Sequence, residues 1–147
     1  NGSYYNLPLD EFQAVVDYAL ANGHTVAWDG DVSEKSFSAK EGIAVIPAEA
    51  GRSDLYSKPA AETIVDQTLR QQAFESYATT DDHLMHLVGT AKDQNGTVYY
   101  LTKNSWGEIS PYRGFLHLSS SYFRLKTVGI MVHKSAIPKA IAQKIKW

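Results

Sequence analysis

The chain has 147 residues, enough for one domain with a real core, and its 44% hydrophobic and 20% charged content is that of ordinary globular sequences. A net charge of −2 gives no electrostatic grip on nucleic acid or an anionic membrane, and no apolar run approaches the roughly 20 residues that span a bilayer. There is no cysteine, which excludes disulfides, thiolate metal sites and a cysteine nucleophile within these residues.

In chain order, Pro8 precedes "LDEFQAVVDYALANG", where Phe12, Val15, Val16, Ala19 and Leu20 follow helical spacing and Asn22-Gly23 marks a stop. "HTVAW" (24–28) and "GIAVI" (42–46) read as strands, with a polar loop at 29–41 between them and another loop at 51–58. From Pro59 to about Ala78, the recurrence of Ala61, Val65, Leu69, Ala73 and Tyr77 predicts a second helix with those residues facing the core. Four strands follow at 83–91, 97–104, 114–118 and 127–132. "SSSYFRL" makes a serine-capped helical turn before the last of them, and Pro138 opens a terminal helix ending near Trp147. The order is helix, two strands, helix, four strands, with hairpin-like links in the second half. That predicts a single α+β domain over 1–147, built on a mostly antiparallel sheet. The chain has no signal-peptide pattern and begins at Asn1 rather than a methionine, so it is read as a piece of a longer polypeptide.

Five histidines are available for chemistry. His24, His117 and His133 fall in predicted strands and read as structural or surface residues. "TTDDHLMHLVG" (79–89) is different, because two acids lead directly into His83 and His86. A metal site from Asp81, Asp82, His83 and His86 is disfavoured, since positions 83 and 86 point to opposite faces of a strand. No cofactor is predicted.

The other reading pairs His83 with Asn104, at the open end of the hairpin formed by 83–91 and 97–104. A tight turn at Asn95-Gly96 would set Asn104 opposite Leu87, about 13 Å along the strand from His83 at ~3.3 Å per residue. A four-residue loop over 92–95, or an equivalent bulge, would bring the two into cross-strand contact. A catalytic imidazole needs its ring held in one orientation and tautomer, and an amide oxygen does this without adding negative charge. Trp106 would cover the hydrogen bond and exclude water, with Gly107 turning the backbone beneath it. The plainer reading of "NSWG" is a strand-end turn with a buried tryptophan. Ser105 and the serines at 119–121 read as motif and helix-cap residues rather than nucleophiles.

"DDHLMHLVG" followed by "YYLTKNSWGE" and "YRGFLHL" resembles the histidine and asparagine segments of papain-like cysteine peptidases. Asp82-His83, Val88-Gly89, the block 103–107 and Gly114-Phe115 match that pattern in order. "LPLDEFQAVVDYALANGHTVAWDGDVSEKSFS" and "GIAVIP" resemble the bleomycin hydrolase and aminopeptidase C branch. The resemblance implies a papain-like C-terminal half with a partial barrel, taken from a cysteine aminopeptidase that removes N-terminal residues from peptides. It implies His83 as general base and thiolate partner, Asn104 as its orienting group, Trp106 as shield and Asp82 as a supporting residue. The nucleophilic Cys and the oxyanion Gln would lie upstream, in an N-terminal half of the same enzyme, leaving this chain inactive alone. It further implies a C-terminal arm at 144–147, with Trp147 near the substrate's amino group, a cytoplasmic location and a homo-oligomer, hexameric in the family. Neither nucleic acid nor membrane is an expected partner. The alternative is a non-catalytic papain-like binding or scaffolding module.

Overall fold

The computed structural model describes residues 4–146. Helix α1 (Leu9–Ala21) begins directly after Pro8 and ends at Asn22, with Gly23 beyond it at φ +76°. Its inward stripe of Val15, Val16 and Ala19 is buried, as the spacing predicts. Seven strands follow: β1 (Val26–Gly30), β2 (Phe37–Ser38), β3 (Ile43–Ala44), β4 (His83–Lys92), β5 (Val98–Lys103), β6 (Phe115–Ser119) and β7 (Thr127–Met131). Helix α2 (Gln67–Glu75) precedes β4, and α3 (Ser120–Lys126) links β6 to β7. A 3-10 turn at Lys134–Ala136 then leads to α4 (Lys139–Lys144). The strands form one sheet in the order β2-β3-β6-β5-β4-β1-β7, antiparallel at every join except β3–β6. This is the predicted α+β class, a mostly antiparallel sheet curled into a half-barrel with flanking helices.

One face of the sheet is closed by α1 and α3 over a core containing Val16, Trp28, Leu87, Tyr100, Leu116 and Phe123. Phe123 stacks on Phe12 of α1 at 5.8 Å and leans on Tyr100 at 4.8 Å. The polar tips of the buried rings are answered. Trp28 Nε1 donates to Thr127 at 2.8 Å, and the Tyr100 hydroxyl donates to Asp17 at 2.6 Å. Among the described residues no helix is long and apolar enough to cross a membrane.

Three expectations fail. The helix predicted over 59–78 is only α2, and none of its described side chains is buried; Tyr77 lies beyond it, 83% exposed and at φ +59°. Residues 59–66 stay extended because tertiary partners claim them. The Ile46 N–H donates to the Glu62 carboxylate at 2.8 Å, Thr63 N–H donates to Ile46 O, and Arg124 donates to Val65 O. Asp66 then caps α2 by accepting from Leu69 N–H. The loop predicted at 29–41 contains β2, and β1 runs two residues later than the apolar run suggests. His24 and His133 lie outside the strands and stack on each other at 5.7 Å.

Candidate active site

His83 is the first residue of β4, opposite Gly30 of the neighbouring β1. Strand alternation puts it on the face that buries Met85 and Leu87, while Leu84 and His86 face the other way and are exposed. Asn104 follows the last residue of β5 and is 4% exposed. The hairpin between them has neither the two-residue turn nor the four-residue loop, but it carries a bulge, the other route to contact that the sequence left open. Lys92 pairs with Val98 across a five-residue connection, in which Asp93 Oδ1 accepts from the N–H groups of Asn95 and Thr97. The register then shifts by one at Val88, so that Leu87 faces Thr102 and His86 faces Lys103. Continued one step, Asn104 lies level with Met85, a diagonal neighbour of His83 on the same face. Long side chains bridge such diagonals. His83 Nε2 reaches Asn104 Oδ1 at 2.9 Å.

The polarity of that bond is fixed by a second donor. Ser105 N–H donates to the same Asn104 oxygen at 2.7 Å, and only the oxygen of the amide can accept it. His83 Nε2 is therefore the N–H donor, and Nδ1 is left to exchange a proton. Among the described residues Nδ1 makes no hydrogen bond. Asn104 Nδ2 is buried and also has no partner among them, an arrangement that costs about 1–3 kcal/mol in an ordinary core.

Trp106 lies over His83 with ring centroids 4.6 Å apart and planes tilted by 32°. It remains 46% exposed, so it covers the imidazole from one side only. Phe37 of β2 meets the indole edge-on at 6.2 Å and leans on the core ring of Tyr122 at 6.1 Å. Sequence reasoning missed Phe37. An aromatic residue in a two-residue strand between serines carries no periodicity.

The loop that carries Trp106 is closed by two glycines at φ +81°, Gly107 and Gly114. Asn104 N–H donates to Gly114 O at 3.0 Å, and a Cβ on Gly114 would lie 2.4 Å from Gly107 O. Gly114→Ala is expected to lower stability by about 2–4 kcal/mol, because the left-handed backbone strain and a backbone clash add. Gly96→Ala is its control, with φ +83° but nothing near its Cβ position, and should lose only about 1 kcal/mol. Urea denaturation of both variants, followed by tryptophan fluorescence, checks this. Equal losses would mean that the close approach at Gly114 is irrelevant.

Asp82 does not touch the imidazole. Its carboxylate accepts from Thr80 Oγ1 at 2.8 Å and from Val32 N–H at 3.4 Å, and its own N–H donates to Gly30 O. It therefore ties the approach to β4 onto the end of β1. Behind it lies a buried ion pair, Lys126 with Asp31 at 3.1 Å, and Lys126 also contacts Glu34. Asp31 accepts from Thr80 N–H, and the Lys126 ammonium donates to Ala78 O, so the approach to β4 is fixed at two points to one charge cluster. Burial alone would raise the Asp31 carboxyl, but the Ser33 hydroxyl and amide, Thr80 N–H and Lys126 outweigh it and hold it below the ordinary carboxylate range. On the opposite face from His83, burial and the neighbouring Asp81 carboxyl push Asp29 up to about 6.

The four residues weighed as metal ligands are not brought together. His86 instead contacts Thr25 Oγ1 at 2.7 Å on the outer face, and among the described residues no group of three or more His, Cys, Asp or Glu could hold a metal ion. Ser119 caps α3 by accepting from Tyr122 N–H, and Ser105 is exposed. Trp147 lies outside the described residues. In α4, Lys144 grips Glu11 of α1 at 2.7 Å, and Ile141 is buried.

A family model described as the Peptidase C1-like family matches residues 1–147. Aminopeptidase W of Lactobacillus delbrueckii subsp. lactis is 24% identical over 143 residues, covering 97% of this chain and 31% of that protein. Aminopeptidase G of the same organism is 26% identical over 139 residues, 92% of this chain and 29% of that protein. The crystal structure of PepW from Lactobacillus rhamnosis is similar with a TM-score of 0.68 at 22% identity, covering 95% of this chain and 29% of that one. At that identity the likeness concerns the fold. The chain spans about three tenths of the length of the curated relatives it matches.

Proposed function

The chain belongs to the Peptidase C1-like family, and from that premise we propose that it is the histidine- and asparagine-bearing portion of a cysteine aminopeptidase. The observation that carries this reading is the 2.9 Å bond from His83 Nε2 to an Asn104 oxygen already fixed by Ser105 N–H, beneath the Trp106 ring. It leaves Nδ1 as the nitrogen that moves protons. The chain itself contains no cysteine, so the thiol comes from polypeptide outside these residues.

In this reaction His83 Nδ1 takes the proton of that thiol, giving a thiolate beside an imidazolium. The sulfur attacks the carbonyl carbon of the substrate's first peptide bond, and the protonated Nδ1 gives its proton to the leaving amine as the C–N bond breaks. Water then hydrolyses the thioester with Nδ1 accepting a proton again, which releases the N-terminal amino acid and restores the thiol. Asn104 holds the ring so that Nδ1 faces the reacting atoms throughout. The amide is neutral, so the imidazolium is not drawn away from the thiolate by a second negative charge.

The test is production of the chain with the polypeptide that precedes it. That segment is expected to carry a Gln and, a few residues on, a Cys at the head of a helix. The joined protein should release amino acids from aminoacyl-anilides and lose this activity on alkylation by iodoacetamide, while residues 1–147 alone stay inactive. A preceding segment without cysteine would overturn the proposal in favour of a binding module.

A further inference from the structure

At the far end of the β4–β5 hairpin from His83, about 30 Å along β4 at ~3.3 Å per residue, the chain forms a half-open cavity of about 270 Å³. It is bounded by the end of β4 at Ala91, by Tyr99 of β5, by His117 of β6 and by the extended segment that carries Glu62. Its aromatic wall is organised. His117 stands edge-on to Tyr112 at 4.7 Å and to Tyr99 at 6.5 Å.

One charged member of this wall is incompletely satisfied. Glu62 Oε2 accepts from Ile46 N–H at 2.8 Å and from the Ser119 hydroxyl at 2.5 Å. Glu62 Oε1 is buried and has no hydrogen-bond partner among the described residues. A carboxylate oxygen left this way wants a donor, and a cationic donor suits it best. Asp93 adds a second carboxylate to the same cavity. Of the two cations at the rim, Lys58 is already paired with Asp54 at 2.9 Å, and Lys92 is exposed and makes no ion pair among the described residues.

We propose that this cavity binds a small primary amine carrying an aromatic or branched apolar group, with its ammonium drawn to the Glu62 and Asp93 carboxylates and its apolar group against Tyr99 and Tyr112. Negative charge framed by aromatic rings selects an organic cation over an anion or a neutral molecule of the same shape. The volume, at the lower end for ligand sites, admits a group of amino-acid size. Nothing in this site depends on the chemistry at His83.

The amine could be a free molecule or the N-terminus of a peptide, and the test separates them. The full chain is titrated with 2-phenylethylamine, the tripeptide Phe-Gly-Gly and 2-phenylethanol, followed by NMR shifts of the ¹⁵N-labelled protein. 2-Phenylethylamine is expected to saturate with a Kd of about 1 mM or tighter, and the uncharged alcohol should bind at least roughly tenfold more weakly. Competition by Phe-Gly-Gly assigns the site to peptide N-termini; its absence assigns it to free amines. Glu62→Gln keeps an oxygen for Ile46 N–H and should weaken the amine about tenfold or more. Ala91→Phe fills the cavity while keeping the Glu62 carboxylate and should abolish binding, whereas His83→Ala should leave it unchanged. No saturable binding, equal affinity for the alcohol, or unaltered binding in a folded Ala91→Phe chain would each overturn the proposal.

Discussion

Replacing His83 by alanine in the joined polypeptide is expected to lower kcat/KM by about 10⁴-fold or more, because the proposed mechanism assigns it the proton transfers of both half-reactions. Asn104→Ala should cost less, about 10²-fold and mostly in kcat, since the imidazole remains but is no longer held in one tautomer. The two losses should not add. Without His83 there is no ring for Asn104 to orient, so the double variant should match His83→Ala. Asn104→Asp gives a sharper signature. A carboxylate at that position stabilises the imidazolium, so the alkaline limb of the pH–rate profile should move to higher pH. A purely structural asparagine would leave that limb in place. Retention of full kcat by Asn104→Ala in a folded protein would remove the physical basis of the proposed mechanism.

The histidine–asparagine contact is legible in the sequence as far as local signals reach. Two apolar runs separated by "KDQNG" specify a hairpin, and a hairpin brings the start of one strand to the end of the next. The exact offset is not legible. It depends on a bulge at Val88 and on a diagonal reach, and nothing about Val88 as a residue announces a bulge. Helix α1 and strands β4 to β7 follow from apolar runs and the punctuation between them. The segment 59–66 shows the limit of period counting. Its fourfold spacing of Ala61 and Val65 is helical, but Glu62 and Thr63 are held by Ile46 in a strand-like pairing, and the tertiary bonds win. Phe37, the support for Trp106, and the Lys126–Asp31 pair were hidden for the same reason. Each works with partners far along the chain, 95 residues away for the ion pair.

That ion pair sets the largest stability effect expected outside the hydrophobic core. Asp31 is fully buried and Lys126 is 1% exposed, so neither charge can turn to water if its partner is lost. Lys126→Met should therefore lower stability at pH 7 by about 3–5 kcal/mol, most of it the penalty of an unpaired buried carboxylate. Asp31→Asn in the same chain should recover part of the loss, which a double-mutant cycle in urea denaturation measures. The pH dependence follows from the sign of the Asp31 shift. Its folded pKa lies below the unfolded value of about 3.9, so in the natural chain its contribution is complete above that value and is lost as pH falls through the folded pKa. Removing Lys126 withdraws one of the groups that hold the carboxyl down while burial continues to push it up, so the variant gains relative to the natural chain on acidification. The gap between them should narrow from pH 7 to pH 4.5. The same cluster anchors Thr80 and Ala78 ahead of β4, so the variant should also lose kcat in the joined enzyme where it remains folded, through looser placement of His83. A Lys126→Met chain within 1 kcal/mol of the natural one at pH 7, with no narrowing at lower pH, would show that water reaches Asp31 and that the cluster does not fix the approach to β4.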